Sequence, residues 1–112
     1  MAMVQAPVSD MLVTVKSREV QRAMLAQARG DQQATARHLR AAAHLELVLA
    51  EDYTQSGDPE MARRSRISAA SCLWRCGNLN YAQEVFDNLL VEAPERSHEI
   101  QELIVELRQN SA

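Results

Sequence analysis

The sequence predicts an all-α fold of about five helices, and three observations carry that prediction. Hydrophobic residues make up 46% of the 112 residues but aromatic residues only 4%, a composition that suits close helix packing better than a β-sandwich. Every glycine is followed by Asp or Asn. Apolar residues recur at spacings of three and four, the period of a helix with one buried face. We therefore expect antiparallel helical hairpins in a single domain.

The three Gly-Asx pairs predict tight corners between helices. They are Gly30-Asp31, Gly57-Asp58 and Gly77-Asn78. Glycine accepts the left-handed conformation that ends a helix, and Asp or Asn caps the first amides of the next one. The second corner is the strongest, because Pro59 follows Asp58 at the first helical position. The helices expected between the corners cover about 17–29, 32–56, 59–76, 79–92 and 96–109.

The fourth and fifth helices have the clearest apolar stripes, and their connections are short. Consecutive helices with short connections must lie antiparallel, so stacked hairpins are the expected arrangement. The domain is expected to cover residues 16–110. Residues 1–15 form a separate N-terminal segment, where Met11–Val15 is either extended or, if Ser9-Asp10 caps an earlier start, already helical. The apolar positions are Leu79, Ala82, Phe86, Leu89, Leu90 and Ala93 in the fourth helix, and Ile100, Leu103, Ile104 and Leu107 in the fifth.

The charge is unevenly distributed along the chain. The net charge is −3, but residues 16–75 hold ten Lys or Arg against seven Asp or Glu, and residues 76–112 hold two against seven. This asymmetry indicates internal charge matching, a self-association surface or a preference for acidic partners. It does not favour nucleic-acid binding. The opening MAMVQAPVSDMLVTV has neither a basic region nor a long uncharged apolar run, so we expect a cytoplasmic protein without membrane contact.

The chemistry-bearing residues do not form a recognisable catalytic set. Cys72 and Cys76 lie four residues apart on one predicted helix, which separates their Cβ atoms by more than a disulfide favours. A zinc site would need two more ligands. His38, His44 and His98 show no paired spacing. We predict that the cysteines pack in the core, leave a metal or redox role as the less favoured alternative, and expect no enzyme activity and no cofactor.

The stretch from Arg63 to Pro94 resembles a tetratricopeptide repeat, a helical hairpin used for protein recognition. Leu73 falls in the first helix and Gly77 at the turn, and Pro94 closes the unit. In the second helix, Ala82 and Phe86 follow Gly77 by five and nine residues. The helix after Pro94 resembles a following or capping helix. This likeness covers about 45 of the 112 residues and implies a short tetratricopeptide-like array.

The resemblance also implies a partner-binding face, because the first helix of such a repeat lines a concave groove. The protein is therefore expected to be a non-catalytic interaction module or adaptor that binds a partner peptide or helix. Arginine suits carboxylates and tryptophan supplies rigid contact area, so an acidic segment is the expected ligand. The sequence leaves three alternatives to this face open. They are packing of Trp74 against the neighbouring long helix, arginines that form a solvated face, and a homo-oligomer formed through Ala41–Ala50. The face consists of Arg64, Ile67, Ser68, Ser71, Trp74 and Arg75.

Overall fold

The computed structural model describes residues 8–110, and they form five α-helices and one short 3-10 helix with no strand in that range. The all-α prediction is confirmed. The elements are α1 Val8–Ala28, α2 Gln32–Gln55, α3 Pro59–Arg75, α4 Leu79–Glu92, the 3-10 helix Pro94–Arg96 and α5 Ser97–Asn110.

The three corners share one hydrogen-bond pattern. At the first, the Gly30 amide donates to the Gln27 carbonyl at 3.0 Å and the Asp31 amide donates to the Ala26 carbonyl at 2.9 Å. The same pair of bonds closes α2 and α3, and the glycines have φ values of 75°, 81° and 92° in chain order. This is the Schellman motif, which satisfies the last carbonyls of a helix and requires a left-handed residue. The predicted corners are therefore confirmed.

The capping side chains agree with prediction at two corners and differ at the third. The Asp31 carboxylate accepts from the Ala34 amide at 3.0 Å, and that of Asp58 accepts from the Met61 amide at 3.2 Å. Asn78 makes no side-chain cap at α4. Helix α4 nevertheless starts directly after Asn78, because the corner sets the backbone geometry at this point. The Asn78 carbonyl still accepts from the Ala82 amide at 3.0 Å.

The first helix starts earlier than the expected residue 17. It begins at Val8, so Met11–Val15 is helical and the extended alternative is wrong. Residues 8–15, assigned from sequence to a separate N-terminal segment, are part of α1, and residues 1–7 lie outside the described range. The sequence left this start open, because among the described residues α1 packs against α2 alone. Much of its apolar surface consequently stays exposed, and its sequence has no clear apolar stripe.

The helices pack in chain order, each against the next, and α5 also reaches α3. The Cα atoms span 55 × 36 × 18 Å with a radius of gyration of 15.0 Å, against about 13 Å for a compact chain of this length. The protein is therefore an elongated, thin layer of helices. One hydrophobic cluster draws residues from all five, among them Ala23, Leu39, Leu73, Phe86 and Ile100.

The alanine-rich part of α2 lies inside this layer. Ala42, Ala43 and Ala50 are all almost completely buried, because small side chains let α2 approach both α1 and α3 closely. The alanines of the segment Ala41–Ala50 are therefore largely occupied by packing within the chain, whereas His44 and Val48 are exposed. Contact of this segment with a second copy stays a prediction. No helix between residues 8 and 110 is long and apolar enough to cross a membrane.

Candidate partner-binding surface

The predicted partner-binding residues form one strip along α3. Their spacing of three and four residues keeps them on neighbouring positions of the helix surface. Arg64 and Arg75 lie 11 positions apart, which is about 16 Å along the axis at 1.5 Å per residue. None of the six is buried. Arg64, Ser68 and Arg75 are exposed, and Ile67, Ser71 and Trp74 are half-buried.

An open groove of about 880 Å³ lies at the Trp74 end of this strip. Its wall comes from the α1–α2 corner, the first turns of α2, the end of α3, the start of α4 and the end of α5. The corners at Gly30 and Gly77 thus bring distant parts of the chain to one site. The lining residues are Gln27, Gly30, Gln32, Thr35, Ala36, Leu39, Trp74, Arg75, Gly77, Leu79, Leu107 and Asn110.

The charge of the groove is set by one residue. Among the described residues that line it, Arg75 is the one charged side chain, and none of them is a carboxylate. Arg75 is also exposed, so its guanidinium is accessible to a ligand. The wall mixes apolar side chains with uncharged polar ones around one guanidinium, which suits a ligand that combines a carboxylate with apolar side chains.

Trp74 is half-buried. It packs against the hydrophobic cluster and also lines the groove. Core packing and a place in the groove therefore do not exclude each other. Of the six predicted residues, Trp74 and Arg75 line the groove. Arg64 lies at the other end of the strip, outside the groove lining.

The middle of the strip contacts a buried carboxylate that sequence reasoning missed. Glu46 of α2 is 5% exposed. Ser65 and Ser68 of α3 hydrogen-bond it, and Lys16 of α1 lies 3.8 Å away. Burial raises the pKa of Glu46, against the opposing influence of Lys16. The one signal in the sequence was a single glutamate inside the apolar run Ala41–Ala50, since buried charges in such runs need partners.

The other arginines of α3 are engaged within the protein. Arg63 pairs with Glu95 at 3.6 Å and Arg66 with Glu92 at 3.5 Å. A second cavity of about 240 Å³ lies at the other end of α3 and is lined by Thr54, Pro59, Ala62, Arg63, Arg66, Leu89 and Glu92. Here the basic middle of the chain meets the acidic C-terminal third. These pairs agree with internal charge matching, one of the three interpretations of the uneven charge. This cavity contains Glu92 as well as both arginines, so it lacks the single-sign character of the Trp74 groove.

The cysteines pack as predicted. Cys72 is buried in the hydrophobic cluster, and the half-buried Cys76 packs against it. Burial raises the pKa of the Cys72 thiol, so its thiolate is disfavoured. The Cys76 thiol donates to the Leu73 carbonyl at 3.2 Å. Among the residues described, no three His, Cys, Asp or Glu side chains are grouped closely enough to hold a metal ion.

The histidines lie apart from one another. His38 Nδ1 is 2.6 Å from Glu19 Oε2, linking α2 to α1 in a partly buried contact. His98 pairs with Glu102 on the exposed side of α5, and His44 is exposed. Their separate positions agree with the unpaired spacing in the sequence.

Comparisons with protein-family models, with curated proteins and with solved structures found no match to this chain. The tetratricopeptide resemblance therefore rests on the residues that carry it, and the function is argued from the groove.

Proposed function

We propose that the protein is a non-catalytic interaction module that binds an acidic segment of a partner protein in the groove at the Trp74 end of α3. The observation that carries this proposal is the position of Trp74 and Arg75 side by side in an open groove of about 880 Å³, whose lining includes no carboxylate between residues 8 and 110.

The chemistry of the groove matches a peptide that alternates acidic and apolar residues. Arg75 supplies a forked guanidinium that pairs with a carboxylate through two parallel hydrogen bonds. Leu39, Leu79 and Leu107 supply apolar wall, and Leu79 is 48% exposed. Trp74 adds a rigid surface that loses little conformational entropy on binding. Burial of the peptide's apolar side chains would drive affinity, and the guanidinium would select the acidic residue.

The strip along α3 extends the site beyond the groove. Its length of about 16 Å accommodates about five residues of extended peptide. Ser71 lies between the groove and Arg64, so a peptide seated at Trp74 would pass a hydroxyl before reaching the second guanidinium. The tetratricopeptide resemblance supports this direction, because the first helix of that repeat lines the ligand groove. In this proposal Arg64 is an outer contact and Trp74 and Arg75 are the anchors.

The test is selection of ligands from a peptide library displayed on phage, with the wild-type protein as bait. We expect the selected peptides to be enriched in Asp or Glu next to Leu or Phe. Binding should fall at least about tenfold in Arg75→Glu, since a buried charge pair is replaced by repulsion, and by less in Arg64→Ala. Trp74 is the only tryptophan, so its fluorescence reports binding directly.

Arg40→Ala is the matched control, because Arg40 is an exposed arginine on α2 outside the groove lining. It should leave the affinity unchanged. Circular dichroism separates loss of binding from loss of fold, and Arg75→Glu is preferred to Trp74→Ala because Trp74 also packs against the core. Peptides that bind Arg75→Glu as well as wild type, or a selection without acidic residues, would contradict the proposal.

A further inference from the structure

The exposed apolar side chains concentrate on two helices. Between residues 9 and 110, ten large hydrophobic residues are exposed, and α1 and α4 hold eight of them. A single exposed apolar residue is normal, but grouped ones mark surfaces that meet another molecule. The eight are Met11, Val13, Val15, Met24 and Leu25 on α1, and Leu79, Tyr81 and Val91 on α4.

The two helices carry matching stripes of opposite charge. On α1, Val15, Arg18, Arg22 and Leu25 follow one another at spacings of three, four and three residues, and all four are exposed. On α4, Tyr81, Glu84, Asn88 and Val91 have the same spacing and are also exposed. Such spacing places each set on one side of its helix. Each stripe has apolar ends and a polar centre, basic on α1 and acidic on α4.

The acidic centre is reinforced by its surroundings. Asp87 is exposed beside Asn88, and residues 79–110 hold seven Asp or Glu against two Lys or Arg. On α1, Arg22 pairs with Glu19 within the helix but its side chain is still 58% exposed.

The two stripes belong to well-separated helices of the layer. Helix α1 packs against α2, and α4 packs against α3, the 3-10 helix and α5. Two helices therefore lie between α1 and α4 in the packing order. One chain cannot bring its own stripes together without disrupting its core. Within residues 8–110, each stripe is therefore left for another molecule to cover.

We propose that these stripes bind one another between copies, with α1 of one molecule packing against α4 of the next. The equal spacing lets Val15 and Leu25 face Val91 and Tyr81 at the ends of the contact. Arg18 then faces the Asp87-Asn88 pair, and Arg22 faces Glu84, at its centre. Charge decides against the symmetric alternative, because two α1 stripes packed together would bring arginines against arginines. This assembly is independent of the Trp74 groove.

The contact is heterologous, since it joins two different surfaces. Each bound copy keeps one stripe uncovered, and the assembly grows into open chains unless the rotation between copies closes a ring. Exposed charge pairs are screened by salt, so the association weakens as ionic strength rises.

The experiment is sedimentation velocity at low salt up to about 1 mM protein, the range in which weak interfaces become populated. We expect the wild-type mass to rise with concentration above the monomer mass of 12.5 kDa. Arg18→Glu with Arg22→Glu, and separately Glu84→Arg with Asp87→Arg, should each return the protein to monomer. An equimolar mixture of the two variants should associate again, because each supplies the charge that the other lost.

Val91→Ser and Val105→Ser form a second matched pair, since both valines are exposed but Val105 lies on α5. Only Val91→Ser should weaken association. A wild-type protein that stays monomeric at about 1 mM overturns the proposal. Association that survives either charge reversal also overturns it. The same holds if the mixture of the two variants stays monomeric although circular dichroism shows that both are folded.

Discussion

Lys16 of α1 and Glu46 of α2 form an ion pair that is nearly closed off from solvent, with 3.8 Å between Nζ and Oε2. The Glu46 side chain is 6% exposed and that of Lys16 is 25% exposed. Ser65 and Ser68 of α3 hydrogen-bond the same carboxylate. Three helices thus meet at one acidic group. Because burial outweighs these partners, the pKa of Glu46 is raised above its ordinary value of 4.5.

The raised pKa predicts a stability that declines with increasing pH. The folded state holds the Glu46 proton more tightly than the unfolded chain does. The resulting stabilisation is complete below pH 4.5 and is lost as the pH rises through the raised pKa. Glu46→Gln keeps the size of the side chain without ionising, so its free energy of unfolding should lack this decline. Urea unfolding of both proteins between about pH 4 and 8 measures the difference.

Glu51→Gln is the control for that series, because Glu51 is an exposed carboxylate on the same helix. Glu46→Ala should instead lose about 1–3 kcal/mol, since the buried Ser65 hydroxyl would lose its acceptor. A wild-type protein that gains stability relative to Glu46→Gln as the pH rises from 5 to about 8 would show that the buried charge is favourable.

The contact between Glu19 and His38 predicts the opposite pH dependence. The hydrogen bond from His38 is the main reason that the pKa of Glu19 is lowered, and Arg22 adds to it. The stabilisation is present above pH 4.5 and is lost as the pH falls through the lowered pKa. Glu19→Gln should lower the free energy of unfolding by about 1 kcal/mol near neutral pH. It should also remove the loss of this stabilisation on acidification. Chemical unfolding at several pH values below about 5 tests both effects.

The exposed pair His98–Glu102 provides the comparison for this prediction. Its side chains are 89% and 70% exposed, so Glu102→Gln should change the free energy of unfolding by less than about 0.5 kcal/mol. If Glu19→Gln and Glu102→Gln lowered the free energy of unfolding equally, partial burial of the Glu19–His38 contact would add nothing to stability.

The corners were predictable because their chemistry is local. A left-handed glycine and two backbone hydrogen bonds act within six residues, so Gly57 or Gly77 marks a helix end in any tertiary setting. The start of α1 was not predictable in this way. That helix packs along a single neighbour, with Ala23 and Ala26 as its fully buried residues, and small side chains leave no strong period in the sequence.

The candidate site was predictable only in part, since grooves depend on how helices meet. The repeat-like register of α3 is enough to place Trp74 and Arg75 on one face. It contained no information that Gln27, Thr35 and Leu107 would complete a wall beside them, because those residues come from other helices. Glu46 was missed for the same reason. Its partners Lys16, Ser65 and Ser68 lie on two helices that are distant in sequence.

The two capping residues at the later corners should differ in their energetic contribution. Asp58 caps α3 through a hydrogen bond to the Met61 amide, whereas Asn78 makes no such bond at α4. Asp58→Ala should therefore destabilise the protein by about 1 kcal/mol, and Asn78→Ala by clearly less. Thermal unfolding of the two variants alongside wild type gives the comparison. A larger loss for Asn78→Ala would indicate that its side chain caps the helix in solution.

The two cysteines should differ in reactivity because they differ in burial. Cys72 is buried and its thiol has a raised pKa, while Cys76 is half-buried at the end of α3. Alkylation requires the thiolate and access to it. Under native conditions iodoacetamide should modify Cys76 first, and Cys72 only through opening of the core. Mass spectrometry of digested protein over a time course measures both rates, and in urea they should converge. Faster native modification of Cys72 would contradict its placement in the core and reopen the question of a reactive thiol.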